Sequence, residues 1–176
     1  MTAPKPWSRR RFFLIPLFGL VILLAHLQSR YRFPYGYKPA RFPMVMAALR
    51  LYTMDHDGAF PNVKNDPYAS LAALYPEYLT DASFLAGISG NEAETTRLVT
   101  SGLPLNSQTS SWIYWPGYNE SNNPALAILW ENAEGVSFNG ARRSGHIVGY
   151  CDGSFRQIGA DQWEDFLQQQ KRLRGK

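Results

Sequence analysis

The stretch RRSGHIVGYCDGSF, residues 142–155, brings a histidine, a cysteine and an aspartate within seven positions: His146, Cys151 and Asp152. Those side chains could serve as a thiol nucleophile with its base, or as ligands of a transition metal. The same residues also read as two short strands and a turn, because Asp-Gly between apolar runs is a strong hairpin signal. With Asp152-Gly153 as a two-residue loop, Cys151 faces Ser154, Tyr150 faces Phe155 and Ile147 faces Ile158. Strand parity then separates the reactive groups. His146, Val148 and Tyr150 share one face, while Ile147, Gly149 and Cys151 share the other. His146 and Cys151 are also roughly 16 Å apart along an extended strand. A Cys–His dyad does not fit, so Cys151 is expected as a small buried residue and Asp152 as the turn former.

A second stretch, DHDG at 55–58, sets two carboxylates beside a glycine turn. Asp55 and Asp57 are therefore a candidate calcium pair. A complete EF-hand loop needs a third Asp or Asn and a distant bidentate Glu, and neither is present. A plain helix-ending turn uses the same residues, and no other cofactor is implied. A small extracytoplasmic hydrolase would have to draw on Asp55, His56, Asp57 or His146, without a nucleophile elbow or a zinc motif. Trp112, Trp115 and Tyr118 are the candidate contacts for a partner or a carbohydrate surface, together with the 86–110 loop. Alternation sends Trp112 and Tyr114 to one face and Trp115 to the other, and core packing accounts for most of these aromatics. Glu131 and Glu134 are expected on a surface loop, within reach of Arg142 or Arg143.

The elements that must position these residues follow from periodicity. PMVMAALRLYTMDHDG reads as a helix with Pro43 in its first turn, Gly58 at its end and Arg50 as its main exposed position. Asp66 caps a short helix with Pro67 at its first position, ending before Pro76. Residues 86–110 are polar and rich in Gly, Ser and Thr, and read as a long loop with one helical turn near Glu92–Leu98. Strands are expected over 111–114, 125–130, 145–151 and 154–158. A C-terminal helix follows, with Asp161 and Glu164 as a capping box and a cationic last turn. Strands clustered after helices define an α+β fold with helices packed on a small antiparallel sheet.

Charge and hydropathy divide the 176-residue chain. The first 41 residues hold eight basic side chains and no acidic one, whereas the rest holds ten basic against 14 acidic. The basic excess flanks the apolar run FFLIPLFGLVILLAHL, Phe12–Leu27, rather than forming a nucleic-acid surface, so no nucleic-acid partner is expected. Sixteen residues at 1.5 Å rise span roughly 24 Å, which flanking arginines and local thinning extend toward a ~30 Å bilayer core. The readings are an uncleaved signal anchor, a cleaved signal peptide and a buried core helix. No small-x-small cleavage site follows Leu24, and a core helix would carry a polar face. The expected organisation is a basic cytoplasmic tail over 1–11, a transmembrane signal anchor over 12–27, a juxtamembrane linker over 28–43 and an extracytoplasmic α+β domain over 44–176. Four basic residues precede the run and four follow it closely. The tight Arg9-Arg10-Arg11 cluster favours the N-terminus inside, with the bulk of the chain outside.

In order, these pieces resemble the pilin-like proteins of the type II secretion pseudopilin group. ALRLYTMDHDGAFP (48–61) resembles the end of that family's N-terminal helix, and LAALYPEYLTDASFL (71–85) the segment after it. SSWIYWPG, AILWEN and HIVGYCDGSFRQI are similar to its C-terminal strand motifs, the last being the H-X9-DG element. The resemblance spans about 44–158. It implies a non-enzymatic, membrane-anchored structural or accessory component of a secretion or pilus-type assembly, with other pilin-like or secretion-system proteins as partners. Two departures stand out. Position 142 is Arg where the element has His. Arg11 and Pro16 stand where prepilins carry the Gly before the cleavage point and the Glu at the fifth mature position, so prepilin-peptidase cleavage is not expected. Pro34, Pro39 and Pro43 also interrupt the long continuous helix of a pilin.

Overall fold

The computed structural model describes residues 10–38, 41–137 and 141–175, with side chains from Phe18 onward. Residues 1–9 of the basic tail and Pro39 lie outside the described residues. Among the described residues four α-helices precede a four-stranded sheet and a fifth follows it: α1 Arg10–Arg32, α2 Arg41–Asp55, α3 Pro67–Ala72, α4 Glu92–Thr100 and α5 Trp163–Leu173. The strands β1 Trp112–Tyr114, β2 Ala127–Glu131, β3 His146–Tyr150 and β4 Phe155–Ile158 form an antiparallel meander in chain order. The expected α+β class and antiparallel sheet are present.

Half of the stretch expected as a linker is helix. α1 continues through Arg32 and stops just before Pro34, whose ring excludes another helical turn. α2 begins at Arg41, with Pro43 inside its first turn, where a missing N–H costs nothing. Among the residues whose side chains are described, no helix is long and apolar enough to cross a membrane; Phe12–Leu17 of the apolar run lie outside them. From Phe18 to Leu27 α1 is exposed, and it meets the head at its last turn. Leu20, Val21, Ile22, Leu23, Leu24 and Leu27 are each at least half exposed, and their successive positions point to every side of the helix.

In the head, α2 lies on one sheet face and α5 on the other. Phe42, Val45, Met46 and Leu49 of α2 share a core with Trp112, Tyr114, Leu129 and Ile147. Gly149 admits the Met46 thioether to β3, because a β-carbon there would lie well inside van der Waals contact distance of the sulfur. Arg50 is exposed as expected, but Met44, Leu51 and Met54 are exposed beside it, so α2 presents one apolar stripe outward. On the opposite sheet face, Phe166, Trp163 and Leu167 of α5 cover Ala127, Trp130, Val148 and Tyr150.

Two register details differ from expectation. The β3–β4 loop has three residues, since Gly149 pairs with Phe155 and the Tyr150 N–H donates to Ser154 O at 2.9 Å. A type I′ turn needs positive φ at both central residues, but here Gly153 adopts it and Asp152 does not. Asp152 instead accepts from the Ser154 N–H (2.9 Å) and hydroxyl (2.6 Å), which favours the three-residue turn. At the other end of the chain, Asp161 and Glu164 form no capping box. α5 starts at Trp163 after a 3-10 turn over Ala160–Gln162, and its N-cap Gln162 makes no side-chain hydrogen bond. The basic last turn, Lys171 and Arg172, is as expected.

The 86–110 segment is also more ordered than its composition suggests. Asn91 caps α4 through a bond from the Glu94 N–H at 3.1 Å, and the helix runs nine residues. Thr95, Leu98 and Val99 bury one side of it.

Candidate functional site

His146, Cys151 and Asp152 are not brought together. His146 faces α5, stacked on Trp163 with ring centroids 3.8 Å apart, and its Nδ1–H donates to Glu131 O at 3.0 Å. That bond fixes the tautomer, because a carbonyl only accepts. Cys151 is buried in the core on the α2 side, and burial pushes its thiol up to about 11. A thiol so protected is a poor nucleophile at neutral pH. Asp152 is the turn former, as parity and the Asp-Gly pair implied.

Asp55 and Asp57 are each engaged in holding a turn. Asp55 accepts a hydrogen bond from the Tyr78 hydroxyl. Asp57 adopts positive φ, and its carbonyl accepts from Asn119 Nδ2 at 3.0 Å. His56 stacks on Tyr52 with ring centroids 3.7 Å apart and donates from Nδ1 to the Tyr52 carbonyl. Among the described residues no group of three His, Cys, Asp or Glu side chains could hold a metal ion.

The aromatic contact set divides. Trp112 is buried, donates from Nε1 to Phe84 O at 2.9 Å and meets Phe42 edge-on, so it cannot serve as a surface contact. Its position on the α2 face of β1 follows from alternation. Trp115 lies on the α5 side, half-buried, with the Arg174 guanidinium 3.7 Å over its ring and Trp130 stacked behind it. Tyr118 is half-buried and hydrogen-bonds Arg174. Arg174 also donates from Nη2 to Ala127 O at 2.7 Å, and Gln170 brackets the same strand by accepting from the Ala127 N–H and donating to Ala125 O. These contacts satisfy backbone groups freed by the β2–β3 register shift at Ala127/Leu129.

Glu131 was expected on a surface loop near Arg142 or Arg143, and it is instead fully buried at the end of β2. Its carboxylate accepts from the Ile88 N–H and the Ser89 hydroxyl, both at 2.8 Å, and from Ser111 and the Ala133 N–H. Burial raises its pKa, against the lowering effect of those four donors. Nearby, buried Arg41 donates to Gly87 O at 2.7 Å and pairs with Glu92 at 3.1 Å, and Lys38 pairs with the same carboxylate. Together these charges tie the start of α2 and the chain leading from α1 to the 87–92 segment. The carboxylate's donors come from three separate stretches of chain, so no local pattern announces them.

Position 142 supplies the remaining constellation. The Arg142 N–H donates to Arg32 O at 2.7 Å, its Nε donates to Tyr31 O at 3.1 Å, and its guanidinium lies 4.9 Å from the Tyr31 ring centroid. Those carbonyls belong to the last turn of α1, where helical acceptors lack internal partners and the dipole favours a cation. Arg142 is therefore a C-terminal cap supplied in trans by the head. Around it, Tyr31, Tyr35 and Tyr37 are exposed beside Arg30 and Arg32. Arg142→Ala is expected to cost about 1 kcal/mol and to raise hydrogen exchange at 29–33 more than within the sheet. Unchanged exchange there would contradict the capping role.

No protein-family model, curated protein or solved structure matches the chain.

Proposed function

We propose that the chain is a non-enzymatic, membrane-anchored, pilin-like protein that acts as a structural or accessory component of a secretion or pilus-type assembly. One observation carries the anchoring: from Phe18 to Leu27 α1 exposes phenylalanine, leucine, isoleucine and valine on every side, and it meets the head at its last turn, through Tyr31 and Arg32. Left in water, that surface is unfavourable by roughly 25 cal/mol per Å² of apolar area, and a bilayer removes the cost. Support comes from the flanks. The exposed tyrosines and arginines at the end of α1 have the composition of a headgroup-level belt.

In this reading Phe12–Leu27 lies in the cytoplasmic membrane of a bacterium, the basic tail stays in the cytoplasm, and the α+β head stands on the far side. The assembly role rests on the order of the sequence motifs between 44 and 158. Partners would be other pilin-like or secretion-system proteins. A catalytic reading lacks support among the described residues: the Cys151 thiol is buried, and His56 and His146 are held by stacking and backbone bonds.

Intact mass measurement of the protein taken from the membrane fraction tests the anchor as an uncleaved one. The expected mass includes Phe12–Leu27. A chain beginning beyond Leu27 would overturn the proposal.

A further inference from the structure

The outward face of α2 carries a pattern that the head does not use. Met44, Ala47, Arg50, Leu51, Met54 and Asp55 are exposed along it, while Phe42, Val45, Met46, Leu49 and Thr53 are buried in the head. Met44, Ala47, Leu51 and Met54 follow one another at steps of three, four and three, the a and d spacing of two heptads. The buried residues then fall at b, c and f, on the far side of the helix from this seam. Met44 and Leu51 are about half exposed and Met54 is 76 % exposed, so the seam is apolar and uncovered.

The charges are placed to match. Arg50 stands at g and Asp55 at e, on opposite flanks of the seam. Arg50 donates from Nη1 to Asp152 O at 2.6 Å, which leaves Nη2 for a second acceptor, and Asp55 accepts from the Tyr78 hydroxyl. Neither enters an ion pair among the described residues. Five positions apart, they lie on different sides of α2 and do not face each other within one chain.

We propose that α2 pairs with α2 of a second copy of this chain, parallel and in register, with Met44, Ala47, Leu51 and Met54 forming the shared seam. A two-fold axis along the pair brings the g flank of each helix to the e flank of the other. Arg50 of each copy then meets Asp55 of the other, which gives two intermolecular ion pairs. An antiparallel pair would set g against g and e against e, and lose both. Ala47 has no side chain beyond the β-carbon, so the helices approach closely there. Two heptads are too short to hold a pair in dilute solution. Insertion of both α1 helices in one membrane sets their common direction and supplies the effective concentration. The parallel sense rests on the anchoring reading above, whereas the seam rests on the spacing and charges of α2.

The test oxidises the full chain in membranes with copper phenanthroline and reads the products by mass. Ala47→Cys is expected to give a disulfide-linked dimer, because β-carbons at a parallel d position come within disulfide reach. Gln168→Cys, exposed on α5, is the off-seam control and should give about tenfold less dimer. Wild type, whose Cys151 is buried, should give none. Equal cross-linking at 47 and 168, or none at 47, overturns the proposal. A product at 47 whose mass is not that of two chains overturns the second copy as the occupant. In the Ala47→Cys background, Arg50→Glu and Asp55→Arg should each lower the dimer yield about fivefold, and together should restore it. Yields that ignore the charges overturn the pairing, as does a double variant that stays low while the head keeps its near-ultraviolet signal. Alkaline extraction of the same membranes keeps the anchor separate. Chain that stays in the pellet without cross-linking at 47 overturns the pair and leaves the anchor standing. Chain that is extracted yet cross-links at 47 overturns the anchor and leaves the seam standing.

Discussion

Glu131→Ala is expected to destabilise the head by about 3–5 kcal/mol, because it leaves several buried donors without an acceptor at about 1–3 kcal/mol each. The measurement is a urea melt of the chain in detergent, followed by near-ultraviolet tryptophan signals, with a lower midpoint and an unchanged slope. The substitution leaves the Ile88 and Ala133 N–H groups and the Ser89 hydroxyl without their acceptor, while the Ser111 hydroxyl keeps the Ala86 carbonyl at 3.1 Å. Glu131→Gln should be much milder. An amide oxygen still accepts from Ile88, and the Ser89 hydroxyl can turn to accept from the amide nitrogen.

The same pair of proteins reads out a pH effect. Burial raises the folded-state pKa of Glu131 above the ordinary carboxylate value, so the native state holds that proton more tightly than the unfolded chain. This contribution to stability is fully present below the unfolded pKa. It is lost as pH rises from the ordinary carboxylate range through the raised folded value. Glu131→Gln should therefore remove a fall in stability across that window. Identical pH–stability profiles for wild type and Glu131→Gln would contradict it.

Leu20→Arg with Leu23→Arg is expected to shift the chain from the membrane pellet to the soluble or aggregated fraction. Phe12–Leu27 contains twelve Leu, Ile, Phe and Val residues, whose insertion is worth about 4–7 kcal/mol in total. Two arginines at the centre of the helix cost about 5–7 kcal/mol before snorkelling. The two sums nearly cancel, so the double variant should lose stable insertion. Leu20→Ile with Leu23→Ile, equal in hydropathy, should pellet like wild type. Both leucines are exposed and touch no part of the head, so the head should fold in either variant. Retention of the arginine variant in the pellet in a form released by detergent would contradict the insertion reading.

The sheet and helix order were legible because local signals agreed with the fold. Alternation in WIY and HIVGY predicted which side chains share a sheet face, and Asp66-Pro67 announced α3. The hairpin loop was misjudged by one residue because Asp-Gly supports two turns, and the Ser154 contacts that select the longer one come after the pair. Composition shortened α4 to one helical turn near Glu92–Leu98, since Asn91 as N-cap and the buried Thr95 look like loop residues in a Ser/Thr-rich segment. Glu131 was illegible for a different reason. Its burial is set by contacts with Ile88 and Ser89, more than twenty residues away in sequence, and no local pattern encodes such a partner. Arg142 was visible as a departure from a resembling motif, but its cap on α1 required the head and helix to be placed together.

Alkaline carbonate extraction of membranes carrying the full chain tests the central claim most directly, because it strips proteins held by charge and leaves those inserted through apolar segments. The account predicts that the chain remains in the membrane pellet and is released only by detergent. Recovery of intact chain in the carbonate supernatant would contradict it.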